Sequence, residues 1–426
     1  MRNNNKKGYI SKLLKETLIV LIITLIIIVF PEIILRIVFP ERISGPTPTI
    51  SNLIPTYEFN KDYGYFLKPN IKKTHRRSEQ NGGNIIIWHT NNNSFRGKEL
   101  KNTSKKRVIV YGDSNIHMVS SNLENTFVGK LEKYLIETGL TDIEVVNAGT
   151  SGFGPDQNFI RFKNEANNYN PNLVIFHVFA DNDFGDILRN RIFDLDENGE
   201  LINSDYNFTI DEFNSQRRKI FKRYIVSNSL TLRAILKLLS GFFQKESEVV
   251  QKELNQEESI LDNYQKLAEE YYSNYKESMP RKEDAFSWDH YDIDIALNPE
   301  QESSKIKIKL MEEVLKKAND FARSKNIEFL VLIQPSAIDL TKENFILNYE
   351  YLQKYPNYQR TNLTNAVEKI CVSHNIKYIN LFEVFKNSSP EQLYFRADNH
   401  WNDLGQDIAA RETASLIYKR EMPEID

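Results

Sequence analysis

The residues of this chain able to do covalent chemistry lie in four short stretches. In the first, Val108-Ile-Val-Tyr-Gly-Asp-Ser114, four β-forming apolar residues run straight into Gly112, Asp113 and Ser114. A basic, polar run precedes it, so it reads as a short buried strand ending in a sharp turn. A serine at such a turn is held on rigid backbone and pointed outward, as a nucleophile must be. Gly-Asp-Ser is also ordinary turn composition, so the stretch alone decides nothing. Two other loops carry donors at the ends of apolar strand patterns: Asn147-Ala-Gly-Thr-Ser-Gly152 and Ala180-Asp-Asn182-Asp183. In a flavodoxin-like strand order, 2-1-3-4-5, those two loops flank Ser114 at the topological switch point, where such sheets bind ligands. The Ser114 and Gly152 N–H groups and the Asn182 amide then make a three-donor oxyanion hole, usually the largest single contribution to acyl-transfer catalysis.

A base must come from seven histidines. His75 and His89 precede the regular pattern, and His290 lies in an irregular stretch. His374 ends a helix, and His177 sits inside a strand as a core residue. His117 is three residues from Ser114 and would have to fold back over the same turn, which makes it the runner-up. His400 stands in a polar loop, Arg396-Ala-Asp398-Asn-His400-Trp-Asn-Asp-Leu-Gly405. Asp398, two residues upstream, can take the Nδ1 proton and set the imidazole tautomer. Ser114, His400 and Asp398 are thus the expected nucleophile, base and orienting acid, and this chemistry requires no metal or organic cofactor.

The elements that must position these groups follow an α/β alternation. Strand patterns run over Val108–Tyr111, Ile143–Asn147, Leu173–Phe179, Ile327–Ile333 and Ile376–Leu381. Helical patterns begin near Asn125 and Pro155, and run over Lys305–Ala322, Thr361–Ser373 and Gly405–Lys419. Five strands alternating with helices predict a three-layer αβα sheet of parallel strands. The alternation lapses from Asp183 to about Ser303, a strongly charged stretch with an amphipathic run from Leu230 to Phe243 and a helical pattern from Val249 to Tyr275. A break this long in a compact domain is usually a functional insertion.

Composition sets the compartment. The 55 basic and 58 acidic residues give a net charge of −3, which argues against a nucleic-acid surface. The single cysteine, Cys371, forms no internal disulfide and reads as a helix core residue. Arg2, Lys6, Lys7, Lys12 and Lys15 precede an uncharged run of mostly Ile, Leu and Val from Thr17 to Pro31, with apolar residues continuing to Phe39. Glu32 and Arg36, one turn apart, can pair and snorkel at the outer interface. The whole then reads as a single-pass membrane anchor with its basic end cytoplasmic and everything after about residue 40 outside. The expected organisation is a tail and anchor over 1–40, and a strand-and-loop preface over 41–105 that lifts the main domain off the membrane. The main domain occupies 106–183 and 303–426, and a partly helical insertion fills 184–302.

Gly112-Asp-Ser114, the glycine loop, the Asn-Asp pair and the late Asp…His resemble the SGNH/GDSL hydrolase superfamily over roughly residues 107–183 and 305–419. Its four blocks, named for Ser, Gly, Asn and His, fall on Ser114, Gly152, Asn182 and His400 in chain order. Two departures are present. Ala180 stands where the third block begins with glycine, and Asp398 precedes the histidine by two residues rather than three. The Asp-x-His-Trp form is similar to membrane-linked SGNH proteins that O-acetylate exported polysaccharides, such as the alginate acetyltransferases. The resemblance implies a membrane-anchored serine esterase acting on ester-linked acyl groups, with cell-surface polysaccharide as a candidate substrate. One alternative is an O-acyltransferase of exported glycans, which would use a membrane acyl-donor partner. The other is an idle glycan-binding scaffold.

Overall fold

In the computed structural model, the described residues are 2–38, 55–101, 106–218, 229–232, 235, 256–277, 291–342, 355, 357–396 and 398–421. They fall into two compact units, Met1–Pro48 with Arg217–Val249, and Thr49–Gln216 with Val250–Asp426. In the first unit, helix α1 (Arg2–Val38) contains a 21-residue segment, Lys15–Leu35, long and apolar enough to cross a membrane. The Glu32 carboxylate accepts from the Ser229 hydroxyl at 2.9 Å and from the backbone N–H groups of Leu230 and Thr231 at 3.2 and 2.9 Å. It therefore caps the start of the segment at Leu230, whereas the expectation from sequence gave it to Arg36, whose side chain is outside the described residues. The rest of the Leu230–Phe243 run is also outside them, apart from Ile235 and the residues up to Leu232.

The second unit opens with two antiparallel ribbons, β1 (Tyr57–Asn60) with β2 (Gly64–Leu67) and β3 (Lys72–Arg76) with β4 (Ile85–His89). Strand β5 (Lys106–Tyr111) leads through α2 (Ser114–His117) to α3 (Phe127–Glu137) and β6 (Ile143–Asn147). Helix α4 (Pro155–Tyr169), β7 (Leu173–Ala180) and α5 (Asp183–Asn190) follow. A small hairpin, β8 (Phe193–Leu195) and β9 (Leu201–Asn203), precedes α6 (Gln256–Lys276) and α7 (Ile293–Leu297). The chain continues through α8 (Glu302–Ser324), β10 (Glu328–Pro335), α9 (Ala337–Leu340), α10 (Asn362–Ser373), β11 (Lys377–Asn380), α11 (Phe382–Lys386) and α12 (Asp403–Glu421).

The main sheet has the order β6-β5-β7-β10-β11, parallel throughout. Counted along the chain this is 2-1-3-4-5, as expected. Period-two alternation sends successive strand residues to opposite faces. Ile109, Val174, Phe176, Val331 and Ile333 pack with α4, α8 and α10 on one side. Val108, Val110, Ile175, Leu330 and Leu332 pack with α3 and α12 on the other. Both faces are covered, so β7 is buried along its whole length. Cys371 lies in this core, and burial pushes its thiol up to about 12.

Two boundaries differ from the expected organisation. Residues 55–101 of the expected preface pack within the α/β unit. Phe95 joins the main core, and the buried Arg96 guanidinium donates at 2.5 Å to the carbonyls of His117, Met118 and Ser121. Likewise the domain does not stop at 183. Residues 183–190 form α5, whose Phe184, Ile187 and Leu188 fill the core, and α7 adds Ile293 and Ile295. The insertion is therefore shorter than 184–302. Of the helical pattern Val249–Tyr275, the described part is helix from Gln256.

Arg96→Met should destabilise the protein by about 3 kcal/mol, since three buried carbonyls lose a charged donor. Urea unfolding of the two proteins side by side measures this.

Candidate active site

Ser114 is the first residue of α2, and the turn that carries it is built from local polar bonds. The Asp113 carboxylate caps the helix by accepting from Asn115 N–H at 2.8 Å and from the Asn115 side-chain amide at 3.2 Å. Gly149, on the neighbouring loop after β6, approaches so closely that a Cβ there would lie 2.2 Å from the His117 backbone nitrogen. Only glycine lets the two loops meet. Beneath the turn the Asn115 oxygen accepts from the Gln334 amide at 3.1 Å, and Gln334 Oε1 lies 2.8 Å from His177 Nε2. His177 is thus a core residue, and burial lowers its pKa.

The base arrives from the opposite end of the chain. Trp401 is fully buried. It stacks on Phe127 at 5.7 Å and donates its indole N–H to the Asn115 carbonyl at 3.1 Å. That anchor brings His400 Nε2 to 2.7 Å from Ser114 Oγ. His400 Nδ1 contacts the Asp398 carboxylate, which also accepts from the His400 backbone N–H at 3.0 Å. A carboxylate only accepts, so Nδ1 carries the proton and the neutral ring offers its Nε2 lone pair to the serine hydroxyl. Burial works against the charged form of Asp398. The charge and hydrogen bonds of His400 outweigh it and hold the carboxyl below its ordinary value of 3.8. A separation of two residues between acid and histidine is therefore sterically sufficient.

The donor loops flank the serine as the strand order requires. Gly152 follows β6 in the turn 150–153, and its φ of +80° is a conformation glycine adopts readily. Asn182 follows β7 as the N-cap residue of α5. The Asp181 carboxylate next to it accepts from Ser336 at 2.5 Å and from the Asn399 amide at 3.4 Å, tying the histidine loop to the asparagine loop. Ala180, the last residue of β7, buries its methyl group in the core.

The runner-up, His117, is not placed to serve as the base. Its Nδ1 lies 2.8 Å from Ser151 Oγ, its ring meets Trp88 edge-on, and burial drives its pKa far down. His374 contacts Glu312 at 2.7 Å at the end of α10, and His290 is outside the described residues. Trp401, Asn115, Gln334 and Asp181 were not foreseen. The tryptophan could have been, as the one aromatic ring besides His400 in a polar loop. Among the described residues, no group of three or more His, Cys, Asp or Glu is arranged to hold a metal ion.

Residues 294–426 match the family model described as SGNH hydrolase-like domain, acetyltransferase AlgX. No curated protein matches the chain. Among solved structures, similar ones include a lipase/acylhydrolase from Enterococcus faecalis, at 10% identity over 74% of this chain and 96% of that one, TM-score 0.35. Another is the acetyl xylan esterase AlAXEase, at 13% identity over 73% of this chain and 99% of that one, TM-score 0.34.

Because the folded pKa of Asp398 is depressed, its pairing stabilises the protein above pH 3.8 and is lost as pH falls through the folded value. Thermal unfolding of Asp398→Asn should show a deficit at neutral pH that closes as the pH is lowered below 3.8.

Proposed function

We propose that the chain is an SGNH-type hydrolase, a membrane-anchored serine esterase acting on ester-linked acyl groups, a reading supported by the match of residues 294–426 to an SGNH hydrolase-like family model and by the parallel sheet order. The observation that carries the reading is the Ser114–His400 hydrogen bond of 2.7 Å, with Asp398 behind the imidazole. In the proposed step His400 Nε2 takes the Ser114 proton as Oγ attacks the ester carbonyl. Asp398 stabilises the imidazolium, and the proton then passes to the departing alkoxide. The Ser114 and Gly152 N–H groups and the Asn182 amide hold the oxyanion. Water attacks the acyl-serine in the second half, with His400 again as base. The apolar span Lys15–Leu35 supports an anchor, and the basic residues before it support a cytoplasmic N-terminus with the catalytic unit outside.

A second reading keeps the same residues and passes the acyl group to a sugar hydroxyl instead of water. The match of residues 294–426 to an acetyltransferase family model favours it. Deacylation of the trapped acyl-enzyme separates the two. Acceleration by oligosaccharide supports transfer, and one rate with or without it supports hydrolysis.

Purified full-length protein should label with a fluorophosphonate probe, and Ser114→Ala should abolish the labelling. His400→Ala should reduce ester turnover by about a thousandfold or more. Equal behaviour of wild type and Ser114→Ala would overturn the enzymatic reading and favour a glycan-binding scaffold.

A further inference from the structure

We infer that Tyr65 is a positioning residue for the oxyanion hole, its hydroxyl setting which way the Ser151–Gly152 peptide faces. The inference rests on the acyl-transfer reading of Ser114. The turn 150–153 is closed by a bond from Phe153 N–H to the Thr150 carbonyl at 3.1 Å, and Gly152 has φ +80° at its third position. That φ belongs to a type II turn, which differs from type I by a flip of the middle peptide. The middle peptide here is Ser151–Gly152, whose N–H is the proposed oxyanion donor. Glycine at the third position tolerates both forms, so turn composition leaves the direction of the donor open.

Tyr65 removes that freedom. Its hydroxyl donates to the Ser151 carbonyl at 2.8 Å. The peptide is planar and trans, so its C=O and N–H point in opposite directions. A donor held on the carbonyl side keeps the Gly152 N–H on the other side, and a flip would break the Tyr65 bond. The same bond polarises the peptide and strengthens its N–H as a donor.

Tyr65 is itself held rigidly. It is buried and meets Phe153 edge-on at 5.3 Å and Tyr57 at 5.1 Å. The neighbouring side chain is gripped as well, with Ser151 Oγ 2.8 Å from His117 Nδ1. With residue 151 fastened at its side chain, the plane of the following peptide is the remaining freedom, and Tyr65 sits on it. The β1–β2 ribbon thus contributes to the site without touching substrate.

The test is Tyr65→Phe in the full chain, which keeps the ring and its edge-on contacts and removes only the hydroxyl. With p-nitrophenyl acetate, kcat should fall about tenfold with KM within about twofold, less than the loss of a whole oxyanion donor. The melting temperature should stay close to that of wild type. Tyr63→Phe, which removes a hydroxyl from the same ribbon while keeping the edge-on contact with Phe153, should retain kcat within about threefold. Unchanged kcat in Tyr65→Phe, or an equal loss in Tyr63→Phe, would overturn the inference. Selective [15N]glycine NMR reads the peptide independently of turnover, and the Gly152 amide resonance should move in Tyr65→Phe. If wild type neither turns over ester nor labels, the esterase reading falls, and this resonance decides alone. Movement upholds the peptide's dependence on Tyr65, and a still resonance overturns it.

Discussion

Everything at the candidate site depends on one long-range fastening, the burial of Trp401 against the turn that carries Ser114. Serine and histidine are 286 residues apart in sequence, and no local structure brings them together. The indole does so by stacking on Phe127 of α3 and bonding the Asn115 carbonyl. One side chain therefore joins the last loop, the first strand's turn and the first flanking helix. The hydrogen bond between Ser114 and His400 follows from that placement, because His400 precedes Trp401 directly. Further polar contacts, among them Asn399 to Asp181 and Arg77 to Asp403 at 2.8 Å, hold the same loop from its other sides.

The polar groups beneath the site explain why so hydrophilic a neighbourhood can be buried. Lys307 is fully buried between Asp292 and Asp294, at 2.9 and 2.8 Å, and Asp292 also accepts from the Gly185 N–H at 3.0 Å. Breaking one partner of such a pair leaves an uncompensated charge, so the cluster acts as a unit. It joins α5, α7 and α8, and the Asp292 N–H donates to the Asp181 carbonyl at 2.6 Å. The elements that follow the poorly patterned stretch are in this way connected to the loop that presents Asn182.

Much of this was legible in the chain. Strand β6 matches its expected span residue for residue, because β-branched residues bounded by turn residues leave little choice. Ser114, His400 and Asp398 could be picked out because each sits in a polar loop at the end of an apolar run. The limits of the α/β unit were harder. Residues 183–190 mix Phe184, Ile187 and Leu188 with three charged side chains, which can be buried because Asp186 and Arg189 pair within the helix at 2.7 Å and Asp183 accepts from the Phe179 N–H at 2.7 Å. Tyr65 and Arg96 were invisible for a related reason. Each acts on backbone carbonyls far away in sequence, Ser151 for one and His117 to Ser121 for the other, and a carbonyl has no residue type to recognise.

The antiparallel bridge between Arg96 and Asn147 gives β6 a neighbour on its otherwise open side. Edge strands invite pairing with other chains, so this bridge shields the growing sheet. It also has a consequence for biosynthesis. The segment that covers the edge leaves the ribosome before the strand it covers, so it is available to pair with β6 as soon as that strand emerges. The histidine loop comes much later, so throughout translation of the intervening residues Ser114 has no contact from that loop. Any product ending before residue 398 keeps Ser114 but lacks the residues that contact it from the last loop.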